Sequence, residues 1–358
     1  MNRIHNFSAG PAVLPVSVVE ATSKAVLEYK NLGMGIMEMS HRSKAIVDIF
    51  DEAKANCLQI MNLSENDYDV IFLGGGASTQ FAMIPLNFLK TKADYISTGA
   101  WAKKAVEEAK MVGEVNLAGD SSDENFNYIP KELNFSPDAN YVHICSNNTI
   151  YGTRWLEFPK VDVPYVCDMS SDIFSREINF SQFDMIYAGA QKNIGPSGAT
   201  LVVIKKSFLT EHGKSGLMTM MSYKTHTEKD SMFNTPPVLP VFVINETFKW
   251  ILDQGLANLE KINNRKAGKI YSAIDSSGGF YTGAVPDKND RSVMNITFNL
   301  QNPELESKFV SEAKTKNLDG LKGHRSVGGV RASIYNACPE ASIDALVEFM
   351  EEFRLLNS

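Results

Sequence analysis

Apolar positions along the chain change period several times, and each change predicts an element. Ile46, Ile49, Phe50, Ala53, Cys57, Ile60 and Met61 recur every three or four residues, the stripe by which a helix lies on a core. Upstream, Ser17-x-x-Glu20 has capping-box spacing and Gly33 supplies a stop, which predicts a helix over 17–31. Beyond residue 68 the period shortens. Asp69–Leu73, Ala93–Ser97, Tyr141–Cys145, Val163–Cys167, Met185–Ala188 and Thr200–Ile204 are short apolar runs bounded by Gly, Asn or Asp. Such runs suit strands buried on both faces, and the helical or loop segments between them imply a doubly wound, mostly parallel α/β sheet.

After a loop at Ser231–Pro240 comes a helical stretch, Val241–Ile274, dented at Gly255. A strand (Val293–Leu300), a helix (Pro303–Lys316), a strand (Val330–Ile334) and a helix from Pro339 follow, the last with Ile343, Leu346, Val347 and Met350 on one face. The division expected is a large domain over 1–255 and a small α+β domain over 256–358, with the segment 1–15 packing on the small one. Val70–Leu89 runs twenty residues without a charge, but its Gly74-Gly-Gly76, Ser78, Thr79, Gln80, Pro85 and Asn87 make it strand, loop and helix rather than a membrane span.

Charge narrows the partners. With 35 Lys+Arg against 42 Asp+Glu, the net charge is −7, and no basic stripe is present to hold nucleic acid. Any anionic ligand must be small and locally gripped. Met1–Phe7 has no apolar leader core, so the chain is read as starting at or near Met1, without a secretory signal. Cys57, Cys145, Cys167 and Cys338 are scattered without a CxxC pair, which suits reduced thiols in a cytoplasmic protein. His143 and Cys145 share a strand face but lack a second ligand pair, so no metal is expected.

Chemistry concentrates between Asp168 and Lys192. One apolar run ends at Asp168 and the next runs into Tyr187-Ala-Gly-Ala-Gln-Lys192. In a parallel sheet both ends emerge on one edge, the usual ligand side. A lysine with a depressed pKa forms a Schiff base with an aldehyde cofactor, and pyridoxal phosphate also needs a carboxylate near its ring nitrogen. Phe72-Leu-Gly-Gly-Gly-Ala-Ser-Thr-Gln80 runs from strand to helix, so free N–H groups and the Ser78 hydroxyl can face a phosphate. It has neither P-loop nor Gly-x-Gly-x-x-Gly spacing. Trp101 can stack on a flat ring.

These features, together with FSAGPAVLP (7–15), MEMSHR (37–42), GGGASTQF (74–81), HICSNNT (143–149), DMSS (168–171), IYAGAQKNIG (186–195), SMFNTPP (231–237) and LKGHRSVGGVRASIYN (321–336), resemble the phosphoserine aminotransferases along essentially the whole chain. The resemblance implies a class V, fold-type I transferase dependent on pyridoxal 5'-phosphate, with a seven-stranded-type sheet, acting as a homodimer. It implies Lys192 as the Schiff-base lysine, Asp168 on the pyridine nitrogen, Trp101 stacking, and Thr149 on the ring hydroxyl. Ala77, Ser78 and Gln191 would hold the phosphate, joined from the neighbouring subunit by Asn234 and Thr235. Arg331 would take the substrate α-carboxylate, and His41, Arg42, His324 and Arg325 the distal anion, two grips suited to bidentate recognition.

The implied reaction passes the amino group of L-glutamate to 3-phosphohydroxypyruvate, giving O-phosphoserine and 2-oxoglutarate. A related pyridoxine-pathway step on 4-phosphohydroxythreonine is also implied. The family's arginine in the glycine loop, present in some members, is absent from Ala77-Ser-Thr79 here. The rival within class V is an alanine- or serine-glyoxylate aminotransferase, or a cysteine desulfurase, for which only Cys338 lies outside an apolar run or stripe. A non-catalytic scaffold would have lost Lys192, Asp168 or the glycine loop, and all are kept.

Overall fold

The computed structural model describes residues 3–357; Met1 and Asn2, within the segment expected to pack on the small domain, lie outside the described residues, as does Ser358. In chain order the strands are β1 (His5–Asn6), β2 (Tyr68–Gly74), β3 (Lys92–Ser97), β4 (Glu114–Asp120), β5 (Val142–Cys145), β6 (Tyr165–Asp168), β7 (Met185–Gly189), β8 (Ala199–Lys205), β9 (Thr282–Gly283), β10 (Asn295–Asn299), β11 (Leu318–Asp319) and β12 (Val330–Ser333). The main sheet has seven strands in the order β2-β8-β7-β6-β5-β3-β4. β8 runs antiparallel to β7 and β2, and every other pairing in it is parallel.

Each face of this sheet is covered. Val70 and Phe72 of β2 join a buried cluster with Phe50, Cys57 and Phe248, while Ile71 and Leu73 join another with Phe81, Phe88 and Phe208. That is the mostly parallel, double-sided sheet the short apolar runs predict. β4 had no such run. It is the outermost strand beside β3, and its Glu114 and Asp120 are exposed there.

The first helix departs from expectation. It spans Val16–Leu27 behind an N-cap at Pro15, with no side-chain cap. Ser17 is already inside the first turn, where its capping-box spacing has no effect. Left-handed Lys30 and Asn31 turn the chain before Gly33 is reached. Gly255 does more than dent its helix. At φ +73 it separates Val238–Gln254 from Leu256–Asp275, a conformation costly for any residue with a Cβ.

A third buried cluster joins the antiparallel sheet β12-β10-β9 to the helices Leu256–Asp275, Pro303–Thr315 and Glu340–Asn357, with Phe298, Phe309 and Phe353 at its centre. Phe7 is buried in the same cluster, and β1 pairs parallel to β11. At Gly320 (φ +83) a Cβ would lie 2.5 Å from Ser8 N. Gly320→Ala is therefore expected to lower thermal stability by about 1–3 kcal/mol, read as a fall in melting temperature.

Candidate active site

The parallel strands deliver their chemistry to one edge. β6 ends at Asp168, and the turn after β7 carries Lys192. Asp168 is 5% exposed. Ser170 donates to its Oδ1 twice, from N at 2.9 Å and from Oγ at 2.6 Å, and the Ser170 Oγ accepts from Gly189 N at 3.0 Å. Among the described residues nothing hydrogen-bonds Oδ2. The carboxylate is thus oriented by one oxygen and offers the other.

Lys192 Nζ donates to Thr149 Oγ1 at 2.6 Å and lies 6.0 Å from the Trp101 ring centroid. No carboxylate among the described residues pairs with it within salt-bridge distance. Burial pulls the amine below the ordinary lysine value; the nearby Asp168 charge opposes that shift and Arg331 adds to it. A lysine spared both full solvation and an ion pair has the lowered proton affinity that nucleophilic amines need. The N-terminal segment closes one wall. Ala12 N donates to Gln191 O at 3.0 Å, and a Cβ at Gly10 would meet Gln191 Cγ at 3.3 Å and Lys192 Cγ at 3.4 Å.

The glycine loop lies open. Gly75 N is tied to Gly198 O, yet a Cβ at Gly74, Gly75 or Gly76 would meet nothing within 4 Å. The helix Ser78–Phe88 begins behind Ala77 without a side-chain cap, and among the described residues no acceptor takes the Ala77 or Ser78 N–H. Unclaimed donors at a helix start suit a phosphate. The Gln191 carboxamide makes no hydrogen bond among the described residues and its oxygen is buried; its NH2 is the end that can donate to a phosphate. Open loop with unclaimed N–H donors, unengaged Gln191 amide, unpaired amine and half-satisfied carboxylate together fit a phosphorylated pyridine aldehyde.

Arg331 lies beyond Thr149, whose carbonyl accepts from its Nη1 at 3.3 Å; its Nε is buried and unpartnered. Arg331 and His324 line a cavity of about 420 Å³ that also takes in Tyr151 and Asn125. Burial first, then the charges of Arg331, Arg325 and Lys104, hold His324 below the ordinary histidine value. The exposed Arg325 does not line that cavity.

Besides Arg325, four expected residues are not gathered there. His41 and Arg42 sit in the turn before the helix Lys44–Met61, and among the described residues no hydrogen bond or ion pair joins either to Lys192, Asp168 or Arg331. Asn234 lines a separate cavity of about 150 Å³ with Gly74, Thr79 and Gln80. Thr235 is exposed. His143 faces inward, its Nε2 3.0 Å from the Tyr187 hydroxyl. Sequence reasoning missed Ser170, although the Asp-x-Ser spacing of a side-chain turn marks it. It also missed Asn193, which carries no such signal.

Comparison with known proteins agrees in extent with this arrangement. The family model described as aminotransferase class-V matches residues 4–346. A phosphoserine aminotransferase of Desulfatibacillum aliphaticivorans is 49% identical over 362 residues, covering 99% of each chain. A solved phosphoserine aminotransferase from Bacillus circulans subsp. alkalophilus superposes with a TM-score of 0.96 at 47% identity, covering 99% of each chain. That of Trichomonas vaginalis, described as PLP bound, does so at 0.92 and 36% identity over 98% of this chain and 100% of its own.

Proposed function

Because the chain belongs to the phosphoserine aminotransferases of the class-V aminotransferase family, we propose that it transfers the amino group of L-glutamate to 3-phosphohydroxypyruvate, giving O-phospho-L-serine and 2-oxoglutarate. It is a transaminase dependent on pyridoxal 5'-phosphate. When bound, that group supplies an aldehyde for covalent capture of amines and a ring that withdraws electrons from the substrate Cα. The observation that carries the reading is the placement of the unpaired Lys192 amine within electrostatic reach of the buried Asp168 carboxylate, beyond the ends of adjacent strands.

Roles follow from position. Lys192 Nζ would hold the aldehyde group and would carry the proton at the substrate Cα. Asp168, through the unengaged Oδ2, would partner the ring nitrogen, Trp101 would stack on the ring, and Thr149 would bond its hydroxyl. Ala77, Ser78 and Gln191 take the phosphate. Arg331, unpartnered at Nε, takes the α-carboxylate, and His324 with Arg325 receives the distal anion. The same grips admit 4-phosphohydroxythreonine in the pyridoxine-pathway direction.

His41, Arg42, Asn234 and Thr235 act across a homodimer in this reading. Leu32, Met34 and Met37 beside the first pair, and Phe233 beside the second, are exposed apolar side chains that a second copy would cover. The large and small domains divide near Gly255. We assign the protein to the cytoplasm: its four cysteines are buried and free, and among the described residues no helix is long and apolar enough to cross a membrane.

The test is the visible absorption of protein supplied with pyridoxal phosphate. O-phosphoserine is expected to bleach the bound-cofactor band, and serine at the same concentration to leave it. Equal bleaching by both would move the substrate to the glyoxylate-type aminotransferases; absence of a band would overturn the enzyme reading.

A further inference from the structure

Lys266 is fully buried, on the helix Leu256–Asp275, and has no carboxylate partner among the described residues. The carboxylate whose charge reaches it, Glu340, is engaged by Arg265 and Lys269. Instead four backbone carbonyls converge on Nζ: Tyr335 at 2.8 Å, Ile334 at 3.1 Å, Cys338 at 3.2 Å and Asn336 at 3.5 Å. Burying an ammonium is costly unless its three protons are taken up. Here one turn takes them all, and that turn aims its carbonyl oxygens at a common point. Without a cation between them those oxygens repel one another, so the turn and the lysine depend on each other.

What the turn holds is next to the chemistry. Asn336 N donates to Asn193 Oδ1 at 2.9 Å, and Asn193 is the residue after Lys192. The Asn193 amide is fixed on its other side by donating to Ile173 O at 2.5 Å. The Asn336 side chain is fully used, giving to Phe174 O and receiving from Asn263, one turn before Lys266 on the same helix. All four of these polar residues, Asn193, Asn263, Lys266 and Asn336, are buried.

We propose that Lys266 is a tethered cation that holds the 334–338 turn and, through Asn336 and Asn193, positions Lys192. Lys266 is a positioning residue, since it touches neither substrate nor cofactor. The inference rests on the reading of Lys192 as the cofactor-bearing amine. A wild-type holoprotein with no visible band defeats that reading, whereas a normal wild-type band with unaltered variants defeats only this inference.

The experiment is a double-mutant cycle on the holoenzyme with Lys266→Met, which keeps an unbranched stem of similar length, and Asn193→Ala. Each single change is expected to lower kcat about tenfold with little change in KM, and to shift the pH titration of the visible band in the same direction. The double variant should lose no more than the larger single, because both cut one chain of contacts. Thermal melting of the cofactor-free proteins gives the structural control. A Lys266→Met protein that melts earlier yet keeps the wild-type titration would show a purely structural lysine and overturn the proposal, as would losses that multiply. If Lys266→Met does not fold, Asn193→Ala decides alone: an unchanged titration removes the proposed route to Lys192 and overturns the proposal.

Discussion

Replacing Lys192 with alanine is expected to cut transamination by about 10³-fold or more, the scale of removing both a covalent anchor and a proton carrier. The fold should survive. Lys192 makes one side-chain hydrogen bond, to Thr149, and no ion pair among the described residues, and burial already disfavours its charged form. Deleting a group whose burial is unfavourable costs little stability, so the cofactor-free variant should melt close to wild type. The visible band should be lost even where the cofactor is still held by the Ala77–Ser78 donors and Trp101. Retained wild-type turnover would remove Lys192 from the mechanism. Lys192→Arg discriminates further: it keeps positive charge but holds its proton at every working pH, and should be as inactive as the alanine variant.

The parts of this site legible in the sequence were those where one strand end or one loop carries the chemistry. Asp168 ends and Lys192 closely follows an apolar run of the kind that suits strands buried on both faces, so a shared edge was expected from the mostly parallel topology. The glycine triplet at Gly74–Gly76 announced a strand-to-helix turn for the same reason. What stayed hidden depends on pairing between distant segments. β4 is polar because it stands at the sheet edge, a position no local window reveals. Asn193, Asn336 and Lys266 are ordinary polar residues in their own neighbourhoods, and only the folded contact of three segments gives them a shared task. The mis-set first helix has another cause. Pro15 presets the entry angle and takes the N-cap place, which overrode the Ser17–Glu20 spacing.

Asp168→Asn is the second large effect, and its size follows from how Ser170 orients the side chain. Two donors, Ser170 N and Oγ, converge on Oδ1. A carboxamide meets them with its oxygen, which turns its NH2 group to the place of Oδ2. A donor then faces the ring nitrogen, where an acceptor is needed to keep that nitrogen protonated. The interaction lost belongs mainly to the transition state, so kcat should fall about 10²–10³-fold with KM within a few-fold. Stability should hold or rise, because a buried carboxylate is replaced by a neutral isostere. A separate readout follows from charge. Asp168 holds the Lys192 amine up against the effect of burial, so its neutralisation must lower the lysine pKa further. In the cofactor-free protein the free amine would then be present at lower pH than in wild type. Labelling of Lys192 by an amine-reactive reagent should therefore reach half its maximal rate at a lower pH in Asp168→Asn. An unchanged midpoint would mean that the two groups do not share one electrostatic pocket.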